Sequence, residues 1–282
     1  MNSFKFISVV SIASSLLFVA CKNNPEKVKG NPENEIAKST IIEENVSYNA
    51  DTTALNGFVV YDDAIKTKRP VVLIIHEWWG LNDYAKSRAR QLAALGYLAI
   101  AVDLYGNNRV ADNPADASQL SGPIYDNPKM AKKRFDAAIT KIKTYSVADT
   151  NQIAAIGYCF GGAMILNFAR MGENLKGVVS FHGNLAGVPI THNIRNTKVL
   201  VCNGEADKFV SAEEISKFKK QMDSIKADYT FKSYPNATHA FSNPASTEVG
   251  NKFNIPIEYN AAADKASWND MKIFFGEIFR KQ

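Results

Sequence analysis

The chain has 282 residues, of which 46% are apolar and 22% charged, and its formal net charge is +5. This composition is ordinary for a globular protein with one large core or two small ones. The mild charge, without a basic run or interleaved basic and aromatic residues, argues against a nucleic-acid-binding protein. Three cysteines give no disulfide framework, and the sequence contains no internal repeat.

The first segment in chain order has the layout of a targeting signal. One early positive charge, Lys5, precedes an apolar stretch over residues 6–20 that is too short to span a bilayer comfortably. Its end, Leu17-Phe18-Val19-Ala20-Cys21, resembles a bacterial lipoprotein signal, with Phe18 where leucine is usual. The resemblance implies that Cys21 becomes the lipidated first residue of the mature protein. An ordinary signal peptide or a short anchor is the alternative.

We therefore expect residues 1–20 to be a signal peptide, residues 21–38 a flexible tether, and residues 39–282 a folded domain. The tether segment is rich in Asn, Pro, Glu and Lys and has almost no large apolar side chain, so it cannot bury enough surface to fold. The expected location is exported, periplasmic or at the cell surface, attached to a bacterial membrane by its lipid only.

Within the domain, apolar runs alternate with helical segments. Residues 40–48 and 55–61 predict an opening antiparallel pair of strands. Further strands are predicted at 70–76, 97–102, 152–156, 177–182, 198–203 and 229–234, and helices at 83–95, about 128–145, 163–169, 211–226 and 261–280. A loop rich in Asn, Asp and Pro is predicted over 106–128. This order predicts an α/β fold with a mostly parallel sheet and helices on both faces.

The stretch Gly157-Tyr158-Cys159-Phe160-Gly161-Gly162 lies at a predicted strand-to-helix turn. That is the setting of a nucleophile elbow, here with cysteine in the place of serine. A thiolate is a good nucleophile at neutral pH, and the start of the following helix favours it. The alternative is a small apolar residue packed at a turn.

Two more loops follow the carboxyl ends of predicted strands, where open α/β sheets build their sites. One carries Asp207, with Glu205 as its nearest rival, and the other carries His239. Taken alone, either residue reads better as an ordinary surface group. The order nucleophile, acid, histidine is that of α/β-hydrolases, so we interpret Cys159, Asp207 and His239 as a catalytic triad with His239 as general base and acid.

A fourth loop, His76-Glu77-Trp78-Trp79-Gly80, follows the first predicted parallel strand. In α/β-hydrolases this loop gives one oxyanion-hole amide and the residue after the nucleophile gives the other. We assign these amides to Trp78 and Phe160. A hydrophobic wall is the alternative for Trp78 and Trp79. With no second histidine spaced from Glu77, the loop does not indicate a zinc site.

Together these motifs resemble the dienelactone hydrolase family of α/β-hydrolases, the carboxymethylenebutenolidases. The matching stretches span the domain from about residue 55 onward: His76-Glu77-Trp78-Trp79-Gly80-Leu81-Asn82, Asp103-Leu104-Tyr105-Gly106, Gly157-Tyr158-Cys159-Phe160-Gly161-Gly162, Gly204-Glu205-Ala206-Asp207 and His239-Ala240-Phe241. The resemblance implies an α/β-hydrolase fold and a Cys159–His239–Asp207 triad. It also implies that Glu77 interacts with Cys159 and helps to activate it once substrate binds.

At two positions this sequence differs from the family members that act on dienelactone. Those members hold the substrate carboxylate with arginines, one just after the Asp-Leu-Tyr motif and one four residues after the histidine. Here Asn107 and Asn108 stand near the first place, with Arg109 in a different register, and Asn243 stands at the second. The sequence therefore predicts hydrolysis of an ester, lactone or thioester without fixing dienelactone as the substrate.

The predicted enzyme needs no cofactor or metal, acts on a small ester or lactone, and is expected to be a monomer. Two other functions stay open. One is a non-catalytic ligand-binding lipoprotein on the same scaffold, against which a complete triad argues. The other is a peptidase or acyltransferase with a pocket shaped by the 106–128 loop. Cys202, inside an apolar strand, is expected to be core packing.

Overall fold

An eight-stranded sheet organises residues 39–279, the part of the chain that the computed structural model describes. The predicted signal peptide and tether, residues 1–38 with Cys21, lie outside the described residues. The strand order is β1-β2-β4-β3-β5-β6-β7-β8. The strands are β1 (Ile41–Ala50), β2 (Thr53–Asp62), β3 (Arg69–Ile75), β4 (Leu98–Val102), β5 (Ala148–Tyr158), β6 (Gly177–Phe181), β7 (Lys198–Gly204) and β8 (Tyr229–Tyr234).

The sheet is mostly parallel, as predicted. β1 and β2 form an antiparallel hairpin through a two-residue turn, and β2 also runs antiparallel to β4. The other six strands run parallel to one another. Their middle members are continuous apolar runs because parallel strands covered on both faces have no solvent side. β4 and β6 are buried along their whole length.

Helices cover both faces of the sheet. They are α1 (Asp83–Ala94), α2 (Pro114–Asp126), α3 (Pro128–Ile142), α4 (Phe160–Arg170), α5 (Ala212–Ser224), α6 (Ser246–Phe253) and α7 (Ala261–Ile278), with a 3₁₀ turn at His192–Asn196. Core residues such as Phe135, Leu166 and Phe218 belong to α3, α4 and α5 on one face. Leu92 of α1 and Phe275 of α7 pack on the other.

The prediction of a loop over 106–128 was wrong, because most of it is the helix α2. Asn113 caps this helix by accepting a hydrogen bond from the Asp116 N–H at 3.0 Å, and Pro114 occupies its first turn. The helix continues through Gly122 and Pro123, since it buries an apolar edge that includes Ile124. Tertiary packing therefore outweighs two residues of low helix propensity. Helix α6 and the 3₁₀ turn were not predicted either.

None of the helices within residues 39–279 is long and apolar enough to cross a membrane.

Candidate active site

Cys159 occupies the single position between β5 and α4. Its backbone has φ 52° and ψ −114°, a sparsely populated conformation that lifts the side chain off the sheet edge. A Cβ at Gly157 would overlap the Gly161 carbonyl, and one at Gly161 would overlap the Ile75 carbonyl. Gly157 is therefore required by the close approach of the first turn of α4, and Gly161 by the close approach of that turn to β3. Cys159 stands at the start of α4.

Cys159, His239 and Asp207 form one chain of hydrogen bonds. His239 Nε2 lies 2.9 Å from Cys159 Sγ, and His239 Nδ1 lies 2.8 Å from Asp207 Oδ2. The other carboxylate oxygen of Asp207 accepts a hydrogen bond from the Phe209 N–H at 2.8 Å. Glu205, the rival acid, is exposed. The structure thus brings together the three residues that the sequence selected, in the order that nucleophilic catalysis requires.

Two loops hold His239 and Asp207 against each other. The Ala206 N–H donates to the Ala237 carbonyl at 2.9 Å, which ties the acid loop to the histidine loop. His239 also forms a bridge with Ile257 on the far side. The imidazole is thereby fixed by backbone contacts as well as by its ring nitrogens.

The groups around His239 favour the protonated form of its imidazole. Burial alone would lower the pKa of His239, but the negative charge of Cys159 and the hydrogen bonds to Asp207 and Cys159 raise it to about 10. The ring therefore holds its second proton more firmly than a free imidazole does. An imidazolium at hydrogen-bond distance is the partner that keeps a thiolate nucleophilic.

Glu77 is a buried carboxyl beside this pair. It lines the same cavity as Cys159, and its side chain is almost inaccessible to solvent. Asn243 Nδ2 donates to Glu77 Oε2 at 2.6 Å. Burial raises the pKa of Glu77 to about 7, although the Asn243 hydrogen bond opposes the shift. The hydrogen bond seen here is to Asn243, so the expected interaction with Cys159 stays a prediction.

Trp78 and Phe160, the predicted oxyanion-hole donors, also line the cavity with Cys159. Phe160 is the first residue of α4, where a backbone N–H has no partner within the helix. The Trp78 loop is held by Tyr105, whose hydroxyl donates to the Trp78 carbonyl at 2.8 Å. Trp79 forms part of the wall. The placement suits the predicted roles, which stay predictions.

His182, at the end of β6, was not selected from the sequence. It is fully buried, and its Nδ1 accepts a hydrogen bond from the Cys159 N–H at 3.1 Å. Burial and the charges of His239 and Arg88 hold its pKa well below the ordinary range, so the ring is neutral with its proton on Nε2. That nitrogen lies 2.8 Å from Ser242 Oγ. A lone histidine after a strand gives no sequence signal for this contact with the nucleophile.

The cavity over Cys159 has a volume of about 200 Å³. Besides the catalytic candidates it is lined by side chains that the sequence did not assign to the site: Ser121, Tyr125, Asn184, Phe209, Ala240, Ile255 and Ile257. They come from α2 and from four separate loops, so only the folded chain brings them together. The arrangement can bind a small, largely apolar group above a thiol.

Three other residues of the sequence analysis lie away from the chemistry. Arg109 donates to the carbonyls of Tyr105 and Gly106. Cys202 is fully buried in the core, where burial raises the pKa of its thiol to about 12. His76 is buried, with its Nδ1 2.5 Å from the Glu77 carbonyl. In residues 39–279 no group of three or more His, Cys, Asp or Glu side chains could hold a metal ion.

Comparison with known proteins places the chain in a family. Residues 55–279 match the family model described as dienelactone hydrolase family. A protein from Aquifex aeolicus, provisionally described as a carboxymethylenebutenolidase, is 30% identical over 187 residues, which are 64% of this chain and 80% of that protein.

Solved structures agree with this match. A dienelactone hydrolase-like promiscuous phosphotriesterase from metagenomic libraries shares 33% identity with a TM-score of 0.80, covering 85% of this chain and 99% of that one. A protein from Klebsiella pneumoniae, provisionally described as a dienelactone hydrolase, has the same fold at 21% identity and a TM-score of 0.72, covering 84% of this chain and 99% of that one. The α/β-hydrolase fold is confirmed, and the chain belongs to the dienelactone hydrolase family of hydrolases.

Proposed function

We propose that this protein hydrolyses small esters or lactones through the Cys159 thiol and a covalent acyl-enzyme. The observation that carries the proposal is the hydrogen-bonded chain from Cys159 through His239 to Asp207, placed at the mouth of a cavity in a hydrolase fold. The family supports hydrolysis as the reaction, and the geometry supports Cys159 as the nucleophile.

In the first step, Cys159 Sγ forms a bond to the substrate carbonyl carbon, and the carbonyl electron pair moves to oxygen. The Trp78 and Phe160 amides receive that oxyanion, and each such donor can contribute about 3 kcal/mol in the transition state. The C–O bond then breaks, and the leaving alkoxide takes a proton from His239. The product is a thioester on Cys159 and a free alcohol.

In the second step, His239 takes a proton from water as the water attacks the thioester carbonyl. The C–S bond breaks, and the thiolate returns to its place beside the imidazolium. Asp207 holds the ring in the orientation that both steps need, because its carboxylate binds the opposite nitrogen. Glu77 lines the same cavity as Cys159, and on this proposal it interacts with Cys159 and helps to activate it once substrate binds.

The geometry also bears on the alternatives. A vestigial binding protein has no need for a histidine 2.9 Å from the Cys159 sulfur with a carboxylate bound to its other nitrogen. A peptidase or acyltransferase would use the same thiol, and differs only in what the cavity admits.

The test is hydrolysis of 4-nitrophenyl acetate by the wild type and by Cys159→Ala, His239→Ala and Cys202→Ala. We expect turnover to fall by about 10³-fold or more in the first two, as for other nucleophile and base deletions, and to persist in the third. Absence of turnover in the wild type, with Cys159 resistant to alkylation, would instead support the binding-protein alternative.

Phosphotriesters are a second candidate substrate class. The metagenomic enzyme described as a promiscuous phosphotriesterase shares 33% identity over most of the domain. A neutral triester also suits a cavity with mainly apolar walls. Release of 4-nitrophenol from a diethyl 4-nitrophenyl phosphate ester, abolished by Cys159→Ala, would support it.

We also propose that the enzyme is exported and anchored by a lipid on Cys21, and that it works as a monomer. The sequence at residues 17–21 supports the anchor. Labelling of the full chain with radioactive palmitate should be lost in Cys21→Ser, and the protein should then leave the membrane fraction. Equal labelling of both forms would contradict the anchor.

A further inference from the structure

Much of the cavity wall consists of aromatic rings that pack against other aromatic rings. Trp79 packs edge-on against Trp78, with ring centroids 4.9 Å apart, and stacks on Phe253 at 6.0 Å. Tyr125 stands perpendicular to Phe160 at 5.3 Å. Since packed rings resist collapse, the space of about 200 Å³ keeps its size. A cavity of about 150 Å³ in a protein core is enough for a benzene molecule.

No lysine or arginine among residues 39–279 lines this space, and the one basic side chain that does is the His239 ring. Arg109 lies close in sequence to the place where family members that act on dienelactone carry a carboxylate-binding arginine. Its side chain instead donates to the Tyr105 and Gly106 carbonyls. Arg88, behind the site, forms a buried ion pair with Asp264 at 2.5 Å. A carboxylate entering the cavity would therefore lose its hydration with no lysine or arginine to pair with, since both nitrogens of the His239 ring are already bonded, to Asp207 and Cys159.

The side-chain amide of Asn243, which contacts Glu77, already forms a hydrogen bond through each of its two polar atoms. Asn243 donates from Nδ2 to Glu77, and its Oδ1 accepts from the Ala245 N–H at 3.0 Å. Above neutral pH the Glu77 carboxyl carries a negative charge, because its pKa is about 7 as a result of burial. An anionic acyl group would face this like charge at low dielectric.

We infer that the site takes esters whose acyl group is uncharged and about one aromatic ring in size, and that it rejects acyl groups that carry a carboxylate. The inference rests on the proposed function, since Cys159 defines which part of the substrate is the acyl group. It names the substrate class of that same site.

The experiment compares four 4-nitrophenyl esters with the full-length protein at pH 8. They are the esters of benzoic, 4-carbamoylbenzoic, 4-carboxybenzoic and biphenyl-4-carboxylic acid. The carbamoyl and carboxylate groups have nearly the same shape and differ in charge. We expect kcat/KM for the carboxylate to lie about 100-fold below that for the amide, and kcat/KM for biphenyl about 10-fold below that for benzoate.

Two variants sharpen the measurement. Glu77→Gln keeps an oxygen for the Asn243 amide and removes the charge, so the ratio of carboxylate to amide turnover should rise about 10-fold, whatever happens to the absolute rates. Trp79→Ala should raise the ratio of biphenyl to benzoate turnover. Each readout is a ratio within one variant, so partial loss of folded protein cancels.

The results of these measurements distinguish the inference about the acyl group from the proposed thiol hydrolase activity. Equal turnover of carboxylate and amide esters, within about threefold, overturns the charge inference and leaves the thiol hydrolase standing. Equal turnover of biphenyl and benzoate overturns the size inference. Failure of all four esters while 4-nitrophenyl acetate is hydrolysed overturns this inference alone. Failure of the acetate as well, with no acyl group found on Cys159, overturns the proposed function and this inference with it.

Discussion

The two cysteines of the domain sit near the ends of parallel strands in one sheet and have opposite surroundings. Cys202 lies inside β7, fully buried, where the Tyr234 hydroxyl donates to its sulfur at 3.4 Å. Cys159 lies one residue beyond β5, partly exposed, at φ 52°. Strand β6 lies between them: the Cys159 N–H donates to the Phe181 carbonyl and the Cys202 carbonyl accepts from His182.

The comparison shows that the position of a thiol on the backbone decides its chemistry. A residue inside a buried strand is surrounded by apolar atoms, which raise the pKa of the Cys202 thiol to about 12. A residue on the strained turn faces a helix start, a histidine and a cavity.

Alkylation should separate the two thiols by rate. Iodoacetamide at pH 7 should modify Cys159 about 10³-fold faster than Cys202, because only Cys159 is accessible and paired with an imidazolium. Peptide mass mapping over time measures both sites, and unfolding in urea should make the rates similar. Comparable rates in the folded protein would remove the contrast.

Replacing the carboxylate behind His239 should disable the active thiol. Asp207→Asn should lower kcat by about 100-fold or more, because the ring loses its orienting charge. Glu205→Gln in the same loop is the matched control and should keep wild-type kcat. Steady-state ester hydrolysis decides between them, and the reverse result would exchange the roles of the two acids.

The buried acid next to Cys159 should make stability depend on pH. Burial raises the pKa of Glu77 from 4.5 to about 7, so the folded protein keeps a proton that the unfolded chain has lost between these values. The contribution of Glu77 to stability is therefore complete below about pH 4.5 and is lost as the pH rises through 7. Across this window the loss is about 3 kcal/mol.

Glu77→Gln cannot ionise, so it should gain about 3 kcal/mol relative to the wild type between pH 4.5 and pH 8. Urea unfolding at several pH values measures the difference. Parallel stability curves for the two proteins would contradict the assigned pKa.

The smallest expected effect concerns His182, a positioning residue behind the nucleophile. His182→Leu removes one of the two acceptors of the Cys159 N–H and leaves the Phe181 carbonyl, so it should lower kcat about 10-fold with little change in KM. His182→Asn places a side-chain oxygen near the old Nδ1 and should recover most of kcat. Both variants lose the Ser242 contact, so equal kcat in the two would show that the Cys159 bond has no influence.

Sequence patterns were sufficient for elements fixed by local chemistry. The apolar strands and the glycine-flanked turn at Cys159 have a direct signal in the chain. Strand β8 was predicted at its observed bounds. In these cases the residue type follows from burial or from a tight turn.

Other features depend on packing between distant segments. Helix α2 carries Gly122 and Pro123, so its propensity was misleading, although Asn113-Pro114 is a start signal. Tyr125 and Ile257 reach the cavity only because α2 and the loop after α6 fold over it. The partnership of Asn243 with Glu77 spans 166 positions and leaves no local pattern.

The central claim, a covalent step at Cys159, is tested most directly by mass spectrometry of the enzyme quenched in acid during turnover of 4-nitrophenyl benzoate. The account predicts one benzoyl group on the Cys159 peptide, removable by hydroxylamine, absent from Cys159→Ala and present in Cys202→Ala. Steady turnover by Cys159→Ala, or a benzoyl group on any other residue of an active enzyme, would contradict it.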